Sequence, residues 1–168
     1  MKGIKETGRL FMGTCCLVYI ILMVVLLYVK GVSACAYRLS LAKSQGYWEV
    51  VLRYTNLVPL KSIRPFLSLV SSFSLYDKIM NQIVGNILIF IPAGFFLPFF
   101  FEKQRRPFAF SVTCLLLILF IEISQVLTFL GSFDVDDILL NLCGCVIGWL
   151  LFTVPYLIFR FFRRITSK

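Results

Sequence analysis

The stretch LFMGTCCLVYIILMVVLLYV, residues 10–29, contains twenty residues and no charge. At about 1.5 Å per residue, a helix of this length crosses a hydrocarbon core of about 30 Å. The whole chain has the same character, because 60% of its 168 residues are hydrophobic and only 15% are charged. Soluble domains carry about 25% charged residues. The sequence therefore predicts an integral membrane protein and excludes a soluble fold.

Three further apolar stretches have the length of a membrane span. Together with the first, they predict one all-α membrane domain over residues 1–168, a bundle of about four transmembrane helices. Pro92 and Pro98 interrupt the second span, so we expect this helix to be kinked or broken. A long extracytoplasmic loop is predicted after the first span. The four predicted spans cover about residues 10–29, 83–101, 108–130 and 138–159.

The distribution of Lys and Arg predicts the orientation of the bundle. Three basic residues precede the first span, three lie in residues 102–107 and four follow Phe159, whereas residues 131–137 contain none. Short cytoplasmic segments are enriched in Lys and Arg. We therefore expect a multi-pass protein of the bacterial cell membrane with both termini in the cytoplasm and the acidic 131–137 turn outside. Seven basic residues between Lys30 and Met80 argue mildly against this orientation, although the rule weakens over long segments.

Two further sequence features concern the first span and the loop that follows it. Val32-Ser33-Ala34-Cys35 has the form of a lipoprotein cleavage box, so the first span could be a cleaved signal. Its uncharged core is too long for a signal, and Lys30 and Gly31 separate it from the box, which favours a retained anchor. Phe66 to Tyr76 is apolar with interspersed serines, and we expect it to lie on the outer membrane surface or dip into it.

The composition restricts the chemistry that the chain can perform. It contains no histidine, which excludes Ser-His-Asp catalysis, Cys-His catalysis and imidazole metal sites. We predict no cofactor and no metal site, because no metal-ligand spacing or phosphate-binding loop is present. Seventeen basic and eight acidic residues give a net charge of +9. We interpret this charge as contact with anionic membrane lipids, with no nucleic acid partner.

Polar side chains inside the spans are the candidate functional residues, because their burial in hydrocarbon is costly. Glu122 and Gln125 are three residues apart on the third span and share one helix face. Gln82 and Asn86 share a face of the second span. For this second pair alone, ordinary hydrogen bonding between helices is the favoured interpretation.

The fourth span begins with Asp134, Asp137 and Asn141, which share a face if the helix extends back to Asp134, whereas Asp136 points elsewhere. Asn86, Gln125 and Asn141 lie about 5 to 8 Å inside the predicted outer boundary, with Glu122 about one turn deeper. Crowded carboxylates repel one another and imply a bound cation, a cationic ligand group or protonation of one of them. The predicted ligand-binding residues are Glu122, Gln125, Asp134, Asp137, Asn141, Asn86 and Arg64.

Two structural alternatives to a ligand site are open. Arg64 or Arg53 from the long loop would neutralise the acids without any ligand. The polar residues would otherwise bond one another and hold the helices together. Gly144 and Gly148 form a small-xxx-small pair that allows another helix to approach the fourth span closely, within the chain or in a homo-oligomer.

Four motifs carry a family resemblance. They are NLVPL at residues 56–60, NILIFIPAG at 86–94, EISQ at 122–125 and DVDD at 134–137, the last followed by Asn141 and Gly144. In order and spacing they resemble the VanZ-like family of small bacterial integral membrane proteins, over about residues 54–149. Many members of that family carry an arginine in the turn before the aspartates, whereas Gly131-Ser132-Phe133 has none.

The resemblance implies a role in resistance to teicoplanin, with which the founding member of the family is associated. The polar site would then bind a lipid or cell-wall precursor head group, or the cationic part of the glycopeptide. An enzymatic activity is not favoured, because no nucleophile is recognisable. The alternatives are a carboxylate-dependent membrane enzyme acting on a lipid-linked substrate and a structural helper of a larger membrane assembly.

Overall fold

The structure, a computed structural model, describes residues 2–61, 64 and 73–166. It is predominantly helical, with two short strands that pair in parallel and a 3₁₀ turn at Glu102–Arg105. The helices are α1 (Lys2–Gln45), α2 (Tyr47–Arg53), α3 (Phe73–Phe100), α4 (Pro107–Leu127) and α5 (Val135–Thr166). The strands are β1 (Thr55–Asn56) and β2 (Phe133–Asp134).

Four of these helices are long and apolar enough to cross a membrane. The spans are Glu6–Val29 within α1, Gln82–Phe100 within α3, the whole of α4 and the whole of α5. Large apolar side chains are exposed along their outer faces, as expected of helices that contact lipid tails. The predicted all-α membrane fold with four spans is confirmed.

The first helix is longer than the sequence predicted. α1 does not end near Val29 but continues to Gln45, so the predicted loop is helical at its start. The residues after the span are mostly good helix formers, and the helix ends where Gly46 adopts a φ of 105°. α1 runs unbroken through Val32–Cys35. The predicted surface segment Phe66 to Tyr76 lies outside the described residues as far as position 72, and its last four residues begin α3.

α3 is continuous through Pro92 and Pro98, so the predicted break in this helix does not occur. Close packing against α5 stabilises it despite the missing backbone donors. An added Cβ at Gly94 would lie 2.0 Å from the Cys145 carbonyl oxygen, and one at Gly148 would lie 1.9 Å from that of Ile91. The two backbones therefore touch where only glycine fits.

The close helix approach predicted for Gly144 and Gly148 is confirmed, and the neighbouring helix is α3 of the same chain. A Cβ at Gly144 would lie 2.2 Å from the Ile87 carbonyl oxygen. Because α3 occupies both glycine positions, a homo-oligomer through Gly144 and Gly148 stays a prediction that requires a different packing.

The core lies between α3, α4 and α5 and is centred on Phe90, Ile118 and Cys145, which are fully buried. α1 packs beside it, and the Tyr19 hydroxyl donates to the Ile89 carbonyl oxygen at 2.8 Å. The Tyr28 and Ser124 hydroxyls form a hydrogen bond that connects α1 to α4. We call the end of the bundle at the 131–137 turn the acidic end. The end at the 102–107 turn and the C-terminal part of α5 is the basic end.

Candidate functional site

The motifs at residues 56–60 and 134–137 meet at the acidic end. β1 and β2 pair in parallel, with Thr55 opposite Phe133 and Asn56 opposite Asp134. The Asn56 side-chain amide donates to Asp134 Oδ1 at 3.0 Å. Two stretches that are 78 positions apart in the chain thus form one unit.

Asp134 and Asp136 make structural contacts within this unit. Oδ1 of Asp134, which immediately precedes α5, accepts the N–H of Asp136 at 2.9 Å and caps the helix. Asp136 is fully buried, and its Oδ1 accepts the N–H of Leu60 at 2.5 Å. Asp136 therefore points toward residues 56–60, away from the polar face of α5. Asp134 was predicted as a ligand residue, but the structure places it in the helix cap.

A cavity of about 420 Å³ lies beside this unit, among α1, α3, α4 and α5. We call it the acidic cavity. Its nonpolar lining residues are Leu26, Leu27, Gly85 and Ile89. Its polar lining residues are Gln82, Asn86, Glu122, Gln125, Asp137 and Asn141. The structure thus brings Asn86, Glu122, Gln125, Asp137 and Asn141, five of the predicted site residues, to one cavity.

Glu122 and Asn141 are the most deeply buried of these polar residues, with 3% and 2% of their surface exposed. The Asn141 side-chain amide donates to Glu122 Oε1 at 3.3 Å. The other two acceptor atoms, Glu122 Oε2 and Asn141 Oδ1, have no hydrogen-bond partner in the part of the chain that the structure describes. A buried acceptor without a donor costs about 1 to 3 kcal/mol. Burial of this pair is therefore costly unless a donor satisfies the two oxygens.

Asp137 is held by amides of α3. Its Oδ1 accepts hydrogen bonds from Gln82 Nε2 at 3.1 Å and from Asn86 Nδ2 at 2.5 Å. Asp137 and Glu122 also interact electrostatically, and this interaction is repulsive when both are ionised. The cavity therefore presents two carboxylates from two different helices.

Gln125 connects the cavity to α1. Its Nε2 donates to the Leu27 carbonyl oxygen at 2.9 Å, and both residues line the cavity. α1 thus forms one wall of the cavity in addition to its membrane span.

No described Lys or Arg side chain forms an ion pair with Glu122 or Asp137. Arg64 is exposed and does not line the acidic cavity. Arg53 instead pairs with Glu49 at 3.7 Å on α2. The described contacts of these two arginines therefore do not support structural neutralisation of the acids.

Arg38 of α1, which no sequence pattern distinguished, braces the turn before the aspartates. Its Nη1 donates to the carbonyl oxygens of Phe129 at 3.2 Å and Gly131 at 2.5 Å. Its guanidinium lies 4.2 Å from the centroid of the Tyr54 ring. The turn itself has no arginine, and α1 supplies one from more than ninety positions away in the chain.

Gln82 was paired with Asn86 in the sequence but was not included in the predicted site, although it contacts Asp137. The spacing of four residues between the two amides was the available signal. Leu26 and Leu27 were missed because leucines in an apolar helix carry no distinguishing pattern. Within the described residues, no group of three or more acidic or thiol side chains is placed to hold a metal ion.

The acidic cavity can accept hydrogen bonds from a ligand and can favour a positive charge. Carboxylates form strong hydrogen bonds with cationic donors. Its volume falls within the range of about 300 to 1,000 Å³ found for small-molecule sites.

The chain matches the model of a known protein family over most of its length. The family model described as VanZ/LLP1 matches residues 16–160. This match covers most of the chain and includes the greater part of the first span, which lies outside the 54–149 stretch that carries the motifs. No curated protein and no solved structure matches the chain. The chain belongs to the VanZ/LLP1 family.

Proposed function

We propose that this VanZ/LLP1 membrane protein contributes to resistance to teicoplanin and related lipoglycopeptides by binding a head group in the acidic cavity. The head group belongs to a lipid or a lipid-linked cell-wall precursor. The observation that carries the proposal is the pair of buried acceptors, Glu122 Oε2 and Asn141 Oδ1, for which the described residues provide no donor. A ligand that donates hydrogen bonds into the cavity would satisfy both.

The energetics favour a binding role for this pair over a purely structural one. Each unsatisfied acceptor costs about 1 to 3 kcal/mol, and apolar side chains would join α4 to α5 without that cost. Residues selected only to hold helices together would be expected to satisfy each other's hydrogen-bonding groups. The single bond from Asn141 to Glu122 leaves two of the three side-chain acceptor oxygens of this pair unused.

The charge of the cavity indicates what kind of head group it selects. Glu122 and Asp137 contribute carboxylates, and no described cationic side chain pairs with either. An ammonium group would supply both the positive charge and several hydrogen-bond donors. We therefore expect an amine-bearing head group to bind more tightly than a neutral or anionic one.

The walls of the cavity support an amphiphilic ligand. Leu26, on the α1 wall of the cavity, is 47% exposed, so the protein does not close this wall completely. A head group could enter past α1 while its acyl chains stay in the bilayer. The charge distribution of the short segments supports an outward-facing acidic end, where lipid-linked precursors and glycopeptides meet.

Substitution of Glu122 tests the proposal directly. Glu122→Gln keeps the size of the side chain but removes the negative charge, so teicoplanin resistance should fall toward that of cells lacking the protein. The abundance of the protein in the membrane, measured by immunoblot, should stay unchanged.

A second variant blocks the cavity without removing a polar group. An added Cβ at Gly85 would meet no atom within 4 Å, so Gly85→Phe projects a ring into open space at the cavity lining. Gly13→Phe is the matched control, because Gly13 has equally open surroundings on α1 and does not line the cavity. Resistance should fall for Gly85→Phe alone. Full resistance in both Glu122→Gln and Gly85→Phe would contradict the proposal.

Two carboxylates from separate helices also meet the minimum requirement of acid–base catalysis. Incubation of the purified protein with a labelled lipid-linked precursor separates the two roles. Binding predicts retention of the intact label, with retention lost in Glu122→Gln. A released product that depends on both Glu122 and Asp137 would favour the enzyme instead.

A further inference from the structure

A second and larger cavity, of about 1,000 Å³, lies at the basic end of the bundle. It is bounded by the 102–107 turn and by α5. One carboxylate, Glu102, contributes to its lining. Five cationic side chains line it: Lys103, Arg105, Arg106, Arg160 and Arg163. The excess of positive charge favours an anionic occupant.

Arg105 is fixed in position within this cavity. Its Nε donates to the Pro98 carbonyl oxygen and its Nη1 to the Tyr156 hydroxyl, both at 3.2 Å. Its guanidinium lies 4.5 Å from the centroid of the Tyr156 ring. The Arg105 side chain is 24% exposed, whereas its ion-pair partner Glu102 is 86% exposed, so this pair is weak. A pre-positioned arginine loses little conformational entropy when it binds an anion.

A buried hydroxyl in the same cavity lacks a partner. Thr153 lines the cavity and is only 3% exposed, and its Oγ1 has no hydrogen-bond partner in the described part of the chain. A threonine in a helix commonly donates to the carbonyl four residues earlier, which satisfies the hydroxyl locally. The Thr153 hydroxyl is therefore available to donate to an oxygen of a bound molecule.

We propose that the basic cavity binds the phosphate of an anionic membrane lipid. Arg105 and the exposed cations would hold the phosphate, and Thr153 would donate to an oxygen of the head group or the glycerol. This site is at the opposite end of the bundle from the acidic cavity and does not depend on the function proposed above.

The walls of the cavity favour a lipid over free phosphate. Leu157 and Phe159 line it and are 54% and 68% exposed, so it is continuous with the lipid-facing surface of α5. Trp149 and Tyr156 also line it, and both residue types concentrate at membrane interfaces. A cavity of this volume far exceeds the size of a phosphate ion. Leaflets on the cytoplasmic side, where this end is predicted to lie, are rich in anionic lipids.

Quenching of Trp149 by brominated lipids tests the proposal. The chain has two tryptophans, so Trp48→Phe leaves Trp149 as a single fluorophore inside the cavity lining. The protein is reconstituted in mixtures of phosphatidylglycerol and phosphatidylcholine in which one of the two lipids is brominated. One basic residue near a membrane contributes about 1 kcal/mol, so we expect at least about a fivefold preference for phosphatidylglycerol. Equal quenching by the two brominated lipids would overturn the proposal.

Two sets of charge substitutions, in the same Trp48→Phe background, distinguish a specific phosphate-binding site from non-specific electrostatic attraction of anionic lipids. Arg106→Gln, Arg160→Gln and Arg163→Gln together should lower the preference markedly, although Arg105 remains. The control set, Arg9→Gln, Lys43→Gln and Arg53→Gln, removes the same charge from positions outside the cavity and should keep the preference. An equal loss in both sets would overturn the proposal.

Thr153→Val provides a variant that keeps the charge and the size of the side chain. It should lower the preference by about two- to fivefold, corresponding to one hydrogen bond. If the triple variant does not fold, Thr153→Val still tests the site. An unchanged preference for phosphatidylglycerol in Thr153→Val would then contradict the proposal. Relief of quenching by millimolar inorganic phosphate would show a site for free phosphate and would overturn the lipid assignment.

Discussion

Two groups of carboxylates lie close together at the acidic end and differ in their hydrogen bonding. One group is Asp134 with Asp136, and the other is Glu122 with Asp137. Asp134 and Asp136 accept hydrogen bonds from the 56–60 segment and from the first turn of α5. Glu122 receives one bond at Oε1, while its Oε2 has no donor among the described residues. Both groups contain buried acids, so burial alone does not distinguish them.

The difference separates a structural role from a binding role. A buried acid whose oxygens accept backbone and amide donors fixes the conformation of the chain. A buried acid that lines a cavity and has an oxygen without a donor instead lowers stability unless a bound molecule supplies the donor. Loss of Asp136 should therefore mainly affect folding, and loss of Glu122 should mainly affect binding.

Asp136→Ala should give the largest effect and would test the structural half of this comparison. It removes a fully buried carboxylate that accepts the Leu60 N–H, so the free energy of unfolding should fall by about 3 kcal/mol. Thermal unfolding of the purified protein in detergent, followed by circular dichroism, measures the change. Asp136→Asn retains an acceptor oxygen and should cost less. Equal stability of the alanine variant and the unsubstituted protein would break the comparison.

Arg38→Gln should give the next largest effect, because Arg38 holds the turn that connects α4, which carries Glu122, to the segment that carries Asp134 and Asp136. Loss of the bonds to Phe129 and Gly131 and of the contact with the Tyr54 ring should lower the free energy of unfolding by about 2 kcal/mol. Lys43→Gln, an exposed substitution on the same helix, is the control and should change it little. A comparable loss in the control would mean that general charge, and not the bracing contact, is responsible.

The number of spans and the clustering of polar residues could be predicted because both depend on local pattern. Hydropathy along about twenty residues identifies a span, and the helical period places Glu122 beside Gln125 on one face. Counting depth from the predicted ends then grouped Asn86, Gln125 and Asn141 at one level. The structure brings these same residues to the acidic cavity.

The division between structural and cavity-lining acids could not be predicted, because it depends on contacts that are distant in sequence. Asp134 was grouped with Asp137 and Asn141 by helical spacing alone and was therefore included in the predicted site. The pairing of β1 with β2, which directs Asp134 toward Asn56, leaves no periodic signal in strands of two residues. The role of Arg38 was hidden for the same reason, since it depends on α1 extending beyond the membrane span.

The double variant Glu122→Met with Asn141→Leu tests the other half of the comparison, with a smaller effect of opposite sign. It removes both unsatisfied acceptors together with the Asn141 amide that donates to Glu122, so the free energy of unfolding should rise by about 1 kcal/mol. Teicoplanin resistance should be lost despite the gain in stability. Glu122→Met alone should not stabilise, because it leaves the Asn141 amide without its acceptor. A large loss of stability in the double variant would show that these residues mainly hold the helices together.

Arg53→Gln should have the smallest effect and tests whether the cavity acids are neutralised from the loop. Its ion pair with Glu49 joins side chains that are 48% and 62% exposed, and such surface pairs contribute about 0.5 kcal/mol or less. Arg53 also makes no described ion pair with Glu122 or Asp137, so both thermal stability and teicoplanin resistance should stay close to those of the unsubstituted protein. If Arg53→Gln instead reduced resistance as much as Glu122→Gln, the positive charge that the cavity requires would come from the chain itself. The carboxylates would then have no need of a cationic ligand.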